Sequence, residues 1–168
     1  MNHTNFEIKA RYNDLDFVRA FLRKQNARYV GLDHQIDTYF KVRKGRLKLR
    51  QGNIENNLIY YERENIAGAK QSNVILVRTE PDSKIEQILL KLFDVLVVVD
   101  KKREIYFIDN VKFHIDEVKG LGSFIEIEAI DEDGTLGIDK IREQCNYYIG
   151  KLNIRQFIDR SYSDMLIG

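Results

Sequence analysis

The stretch Asn5-Phe6-Glu7-Ile8-Lys9-Ala10-Arg11-Tyr12 alternates strictly between polar and apolar residues. A β-strand sends successive side chains to opposite faces, so Asn5, Glu7, Lys9 and Arg11 share one face and Phe6, Ile8, Ala10 and Tyr12 the other. The same period returns further along with complementary charge. Arg46, Lys48 and Arg50 alternate with Leu47 and Leu49, and Glu126 and Glu128 alternate with Ile125 and Ile127. Lys101 and Arg103 form a further basic pair at this spacing. Such a chain builds sheet with one apolar and one charged face, and its fold must accommodate both.

Strand-like segments dominate: Asn5–Tyr12, Ile36–Val42, Arg46–Gln51, Leu58–Arg63, Asn73–Arg78, Leu96–Asp100, Arg103–Asp109, Val111–Val118 and Phe124–Ile130. Gly45, Asp109-Asn110 and Gly120-Leu121-Gly122 mark turns. Three helices interrupt them. One follows Asp14 as N-cap and carries Leu15, Val18 and Leu22 on one face. One begins at Ser83 with Glu86 completing a capping box. The third runs Ile138–Leu152. Each has a single apolar stripe and is expected to pack outside the sheet. About eight antiparallel strands close into a barrel without exposed edges. The apolar alternates then meet the helices, and the charged alternates line the interior. The expected fold is α+β, an eight-stranded antiparallel closed β-barrel with helices packed outside, forming one domain over residues 1–168.

An interior of Glu, Lys and Arg is costly unless ions or water occupy it. Magnesium and manganese take carboxylate oxygens and share their shell with substrate phosphates. Glu7, Glu126 and Glu128 are the candidate ligands, and Asp116, on the face of His114, is a fourth acidic candidate or a proton acceptor. A triphosphate also requires cations along its length. Lys9, Arg11, Lys48, Arg50, Lys101 and Arg103 supply them in pairs, and Arg63 ends a further strand. The formal net charge is only +1, from 27 basic and 26 acidic residues, which argues against a nonspecific nucleic-acid binder or a polybasic membrane anchor. The longest apolar run, Val95–Val99, is far short of a membrane span, and Met1–Tyr12 lacks the apolar core of a secretory leader. A cytoplasmic protein is expected. Cys145, the single cysteine, falls on the apolar stripe of its helix and reads as core. Gly120-x-Gly122 is a hairpin turn rather than a dinucleotide loop, and no phosphate-binding Gly-rich loop is present.

The strand Asn5-Phe6-Glu7-Ile8-Lys9 resembles the Glu-x-Glu-x-Lys signature of the CYTH superfamily, the triphosphate tunnel proteins, with Asn5 standing where the signature has its first glutamate. Asp37-Thr38-Tyr39-Phe40, Gly45-Arg46-Leu47-Lys48-Leu49-Arg50, Lys101-Lys102-Arg103-Glu104-Ile105-Tyr106, Phe113-His114-Ile115-Asp116-Glu117-Val118, Leu121-Gly122-Ser123-Phe124-Ile125-Glu126-Ile127-Glu128 and Arg160-Ser161-Tyr162 follow in order. The resemblance is to the branch containing the class IV adenylyl cyclases. It implies a solvent-open tunnel that binds a triphosphate, ATP or tripolyphosphate, with Mg2+ or Mn2+. It makes Glu7 and Glu126 metal ligands with Glu128 in support. Lys9, Arg11, Lys48, Arg50, Lys101 and Arg103 become phosphate ligands, with Arg63 or Glu62 at a further position. Asp116 and Lys9 are the groups expected to act in the chemistry. Related proteins dimerise, so a homodimer is expected.

Three functions fit this reading. A cyclase converts ATP to cyclic AMP and pyrophosphate, and a triphosphatase directs water at the same substrate. A binding module holds the triphosphate without turnover, as a neutral Asn5 in the metal-binding strand would favour. A polar barrel without any ligand is disfavoured by the number of buried cations.

Overall fold

The computed structural model of the chain describes residues 2–62 and 70–168. Among these, eight strands close into an antiparallel barrel. They are β1 (Asn2–Arg11), β2 (Arg28–Phe40), β3 (Arg46–Gln51), β4 (Asn56–Glu62), β5 (Lys70–Arg78), β6 (Val95–Ile108), β7 (Val111–Val118) and β8 (Gly122–Asp131). Around the barrel the order is β1-β5-β4-β3-β2-β6-β7-β8, closing back on β1. Four helices accompany it: α1 (Leu15–Lys24), α2 (Ile85–Leu92), α3 (Ile138–Lys151) and α4 (Tyr162–Ile167).

The two faces of the strands meet different partners, as the alternation requires. Outward residues Phe6, Ile8 and Ala10 of β1, Phe113 and Ile115 of β7, and Ile125, Ile127 and Ala129 of β8 form the main core with Leu15, Val18 and Leu22 of α1 and Ile141 and Cys145 of α3. Tyr148 sets its ring edge-on to Phe113 at 4.9 Å between centroids. Cys145 is fully buried there, and burial pushes its thiol up to about 12, so it acts as a small hydrophobe. Helix α2 covers a second patch through Leu89, against Phe40 and Leu49.

Helix α1 is capped as the sequence suggests: the Asp14 carboxylate accepts the Phe17 N–H at 3.1 Å. Replacing Asp14 with Ala is expected to cost about 1 kcal/mol. That corresponds to a melting temperature roughly 2–4 °C lower, read by calorimetry.

Three expectations are corrected. The capping box at Ser83 does not form. The Ser83 N–H closes a turn onto the Glu80 carbonyl, α2 starts at Ile85, and its N-cap Lys84 makes no side-chain cap bond. The segments Leu96–Asp100 and Arg103–Asp109 are one continuous strand, β6, because β2 extends back to Arg28 and pairs with it throughout. The Arg28–Gln35 part of β2 was hidden by a bulge between Tyr29 and Gly31 that breaks the two-residue period. Helix α4 has six residues, too few for a periodic signal. It is started by Ser161, whose hydroxyl accepts the Asp164 N–H.

Candidate active site in the barrel interior

Closing the barrel turns Asn5, Glu7 and Lys9 inward together with the alternates of β3, β6, β7 and β8. They line a cavity of about 270 Å³, many times the roughly 30 Å³ share of one liquid water. Glu7, Lys9, Lys48, Arg50, Lys101, Arg103, Glu126 and Glu128 all line it, so eight of the expected site residues converge. At one end the interior is filled by Tyr39, Val99, Val118 and Phe124, with Tyr162 of α4 packed on them. At the other end the rim residues Arg78 and Glu132 are exposed, which makes this the open mouth.

Two buried carboxylates sit behind the cations and fix their geometry. Asp37 of β2 lies opposite Arg50 of β3 in register. It accepts two guanidinium bonds, at 2.9 and 2.8 Å, and one from the Lys101 ammonium at 2.7 Å, while Lys48 stands 3.6 Å away. Burial alone would push Asp37 up, but the charges of Arg50, Lys101 and Lys48 outweigh it and hold the carboxyl well below its usual range. One carboxylate thus serves three cations. The surplus falls on Lys101: burial, with Arg103, Arg50 and Lys48 adding to it, brings its ammonium down to about 7 despite Asp37.

Asp116 of β7 plays the same part for Arg103, which donates to both its oxygens at 2.7 Å, and it also accepts the Tyr162 hydroxyl at 2.7 Å. Asp116 therefore sits beneath the cavity wall rather than in it. Burial would raise it, but Arg103 holds it below its ordinary value, and its bonds to Arg103 and Tyr162 give it a geometry that positions the Arg103 fork. Glu126 collects Lys9 at 3.7 Å, Arg103 at 3.3 Å and His114 at 3.3 Å. Burial and the neighbouring Arg103 bring His114 down to about 4, so the imidazole is neutral near pH 7.

Glu7 and Glu128 are directly opposite across β1 and β8, with Glu126 opposite Lys9 two residues along. Like charges placed so are unfavourable unless a cation lies between them. The Asn5 amide N–H donates to Glu128 Oε1 at 2.6 Å and fixes that carboxylate. Among the described residues no three His, Cys, Asp or Glu side chains form a ready-made metal cage. The donor set, facing glutamates open to a cavity, fits a hard divalent ion that takes its remaining ligands from a substrate's phosphates and water.

One further expected residue is not brought in. Arg11 lies beyond the plugged end, exposed, donating to the Leu121 carbonyl at 2.8 Å with its guanidinium 4.8 Å from the Phe124 ring centre. It is inward by periodicity, but Phe124 and Tyr162 fill the space it would need to reach the cavity. Arg63 lies outside the described residues, and its alternative Glu62 faces away from the cavity, accepting the Tyr60 hydroxyl at 2.8 Å and pairing with Lys44 at 3.1 Å, while Ile59 and Tyr61 line it. Sequence reasoning missed Asp37, Glu55 and Lys112. Lys112 shares the face of His114 and Asp116, a visible two-residue signal, and pairs with Glu55. Asp37 announces itself only through its cross-strand register with Arg50.

Residues 3–162 match the CYTH domain family. The chain belongs to this family. It is 30% identical over 169 residues to "Putative adenylate cyclase MJ0240" of Methanocaldococcus jannaschii, covering 95% of this chain and 96% of that protein. Among solved CYTH-like structures, the PH1012 protein of Pyrococcus horikoshii OT3 superposes with a TM-score of 0.79 at 23% identity, covering 95% of this chain and 98% of the other. A "putative adenylyl cyclase" from Hippeastrum, described as revealing a dominant triphosphatase activity, superposes at 0.62 with 13% identity, over 97% and 94% of the two chains. At such identities the structural likeness is one of fold. No helix among the described residues is long and apolar enough to cross a membrane.

Proposed function

We propose that this CYTH protein is a metal-dependent enzyme that binds a nucleoside triphosphate in the barrel and breaks a phosphoanhydride bond, in the manner of a class IV adenylyl cyclase. The observation that carries this reading is the shared carboxylate: Asp37 is the common partner of Arg50, Lys101 and Lys48, with Glu55 3.6 Å from Arg50, so three buried cations are crowded together at the cavity, at a cost. A polyphosphate chain is the ligand that removes that cost.

In this reading Arg50, Lys48 and Lys101 grip one part of the phosphate chain, and Arg103 and Lys9 another. Asp116 and Tyr162 hold the Arg103 fork in plane. Glu7 and Glu128, with Glu126 adjacent, would hold Mg2+ or Mn2+, which when bound neutralises phosphate oxygens and acidifies an attacking hydroxyl. Burial lowers Lys9 despite the nearby Glu126, so its ammonium gives up a proton more readily than a free lysine's and is the candidate for managing the proton of the attacking oxygen. The relative named for cyclase activity favours attack by the ribose 3′-hydroxyl, releasing pyrophosphate. Hydrolysis is the second reading, favoured by the triphosphatase activity stated for the Hippeastrum protein.

Incubation with ATP and Mg2+ or Mn2+, followed by chromatography, separates the two. Cyclic AMP with pyrophosphate supports the cyclase, and orthophosphate with ADP supports the hydrolase. No product from a protein that binds ATP leaves a binding module, with the neutral Asn5 as its cause, and Asn5→Glu would then be expected to restore turnover.

The charge state of Lys101 gives a further expectation. Its ammonium sits near 7 in the free protein, and phosphate oxygens beside it favour the charged form. Binding at pH 8 should therefore take up about one proton, and at pH 6, where Lys101 is already charged, close to none. Affinity falls correspondingly as pH rises through this range. Calorimetric titration in buffers of different ionisation enthalpy reads the uptake, which should vanish in Lys101→Met.

A further inference from the structure

The Glu55–Lys112 ion pair is built differently from the two that fix Arg50 and Arg103. Asp37–Arg50 and Asp116–Arg103 join neighbouring strands in register. Glu55 belongs to the turn between β3 and β4 and Lys112 to β7, and β2 and β6 lie between them around the barrel. The Glu55 carboxylate reaches over the inner face of β2, where the Gln35 amide donates to it at 3.0 Å, and accepts from the Lys112 ammonium. The bridge therefore crosses the interior at the mouth, whose rim residue Arg78 pairs with Asn57 just past the turn. The turn itself is pinned. Asp33 accepts the Ile54 and Glu55 N–H groups at 2.9 Å each, and Asn56 exchanges two bonds with Gly52. A Cβ on Gly52 would stand 2.5 Å from Asp33 Oδ1, so this close approach requires glycine. What can move is the Glu55 side chain, which is 21% exposed and follows the exposed Asn53 and Ile54.

Glu55 engages cations that face the cavity. Arg50 commits Nε and Nη2 to Asp37 and turns Nη1 toward Glu55 at 3.6 Å, too far for a hydrogen bond. Lys112 stands directly opposite Glu128 across β7 and β8, on the inner face it shares with His114. Burial would raise the Glu55 carboxyl, but the charges of Lys112, Arg50 and His114 hold it well below its usual value, so it is a full anion at neutral pH. An ionised carboxylate offers these cations what a phosphate group offers them: negative charge and more than one acceptor oxygen. The loose contact to Arg50 is one that a phosphate oxygen at hydrogen-bond distance would outbid.

We propose that Glu55 is an internal counter-anion of the empty tunnel, holding Lys112 and the Nη1 edge of Arg50 until a bound polyphosphate takes both from it. Lys112 is then a further phosphate-binding residue, engaged only once Glu55 has turned out toward solvent. This rests on the triphosphate reading above and adds to it a competition inside the protein. In the empty barrel the pair spares Lys112 the cost of burial without a partner. In the complex the displaced carboxylate still competes for Lys112, which weakens binding and favours release. A ligand shifts such an equilibrium only by what it gains in the open state over the closed one, so removal of the competitor must show in affinity.

The test is calorimetric titration with tripolyphosphate, without divalent metal, of the unsubstituted protein, Glu55→Gln, Lys112→Met and the double variant. Glu55→Gln keeps the shape and the acceptor for Gln35, and should bind about tenfold more tightly because no ion pair has to be broken. Lys112→Met should weaken binding, and by a larger factor in the Glu55→Gln background, where Lys112 gives up no partner to reach the ligand. Glu132→Gln removes the same charge from the exposed rim, where it has no ion pair among the described residues, and should change affinity by no more than about twofold. A crystal structure of the unsubstituted protein with tripolyphosphate should show Lys112 Nζ on a phosphate oxygen and Glu55 withdrawn from it, a reading that needs no variant and decides the matter even if Glu55→Gln does not fold. Glu55→Gln binding no tighter than the parent, equal tightening in Glu132→Gln, a Lys112→Met loss no larger in the Glu55→Gln background, or a complex that keeps the Glu55–Lys112 pair overturns the inference and leaves the triphosphate site standing. Failure of the unsubstituted protein to bind tripolyphosphate overturns both.

Discussion

Replacing Asp37 with Asn should destabilise the free protein by about 3–5 kcal/mol, the usual cost of stripping a buried cation of its partner. Asn keeps the shape and can still accept a hydrogen bond, but Arg50 and Lys101 lose the carboxylate they share at 2.8 and 2.7 Å. The loss should depend on pH in a defined direction. The folded pKa of Asp37 is depressed, so its contribution is present above the unfolded carboxylate value of about 3.9 and fades as pH falls below it. The gap between the unsubstituted protein and the variant therefore narrows in acid. Tripolyphosphate should return more stability to the variant than to the parent. For the parent, ligand at ~100 times its dissociation constant adds ~2.7 kcal/mol, and in the variant the phosphates also replace a missing counter-charge. Urea unfolding with and without tripolyphosphate reads both effects. An Asp37→Asn protein as stable as the parent would mean that the cations are not held against a common charge.

Lys48→Met should do the opposite. Lys48 stands 3.6 Å from Asp37, makes only a long 3.3 Å contact to the Tyr39 hydroxyl, and lies over the Tyr39 and Tyr61 rings at 5.4 and 5.5 Å. It is the loosest of the three cations and the one best placed to turn to a ligand. Its removal should lower triphosphate affinity about 10–100-fold, the value of one charge-assisted contact of roughly 1.5–3 kcal/mol. Folding stability should hold or rise slightly, because one competitor for Asp37 is gone and Lys101 is less strongly depressed. The pair Asp37→Asn and Lys48→Met thus separates charge that maintains the fold from charge that serves the ligand. Coincident losses of stability and affinity in Lys48→Met would place it with the structural pairs.

The barrel was legible because one physical rule governs most of it. Two-residue alternation fixes which side chains face in, and Lys9, Lys48, Arg50, Lys101, Arg103, Glu7, Glu126 and Glu128 all followed it into the cavity. What alternation cannot supply is depth along the barrel axis. Arg11 obeys the period yet lies past the plug of Phe124 and Tyr162, and Asp116 obeys it yet lies beneath Arg103. Cross-strand register was equally hidden, so Asp37, which organises three of the cations, carried no sign of its importance on its own strand. Local order failed where short-range bonds took over: the Glu80–Ser83 turn displaced the start of α2, and the bulge at Gly31 masked half of β2. The six-residue α4, whose Tyr162 covers the filled end of the barrel, is defined by tertiary packing and by its Ser161 cap rather than by any periodic pattern.

The claim on which the rest depends is that the cations gathered around Asp37 in the barrel interior exist to bind a triphosphate. Titration of the purified protein with tripolyphosphate, first without metal and then with Mg2+, measures it directly. Saturable binding at one site is expected, tighter with Mg2+, weakened only in part by high salt because the cations are buried, and weakened in Lys48→Met. No binding at millimolar tripolyphosphate under either condition, with the fold intact, would contradict it.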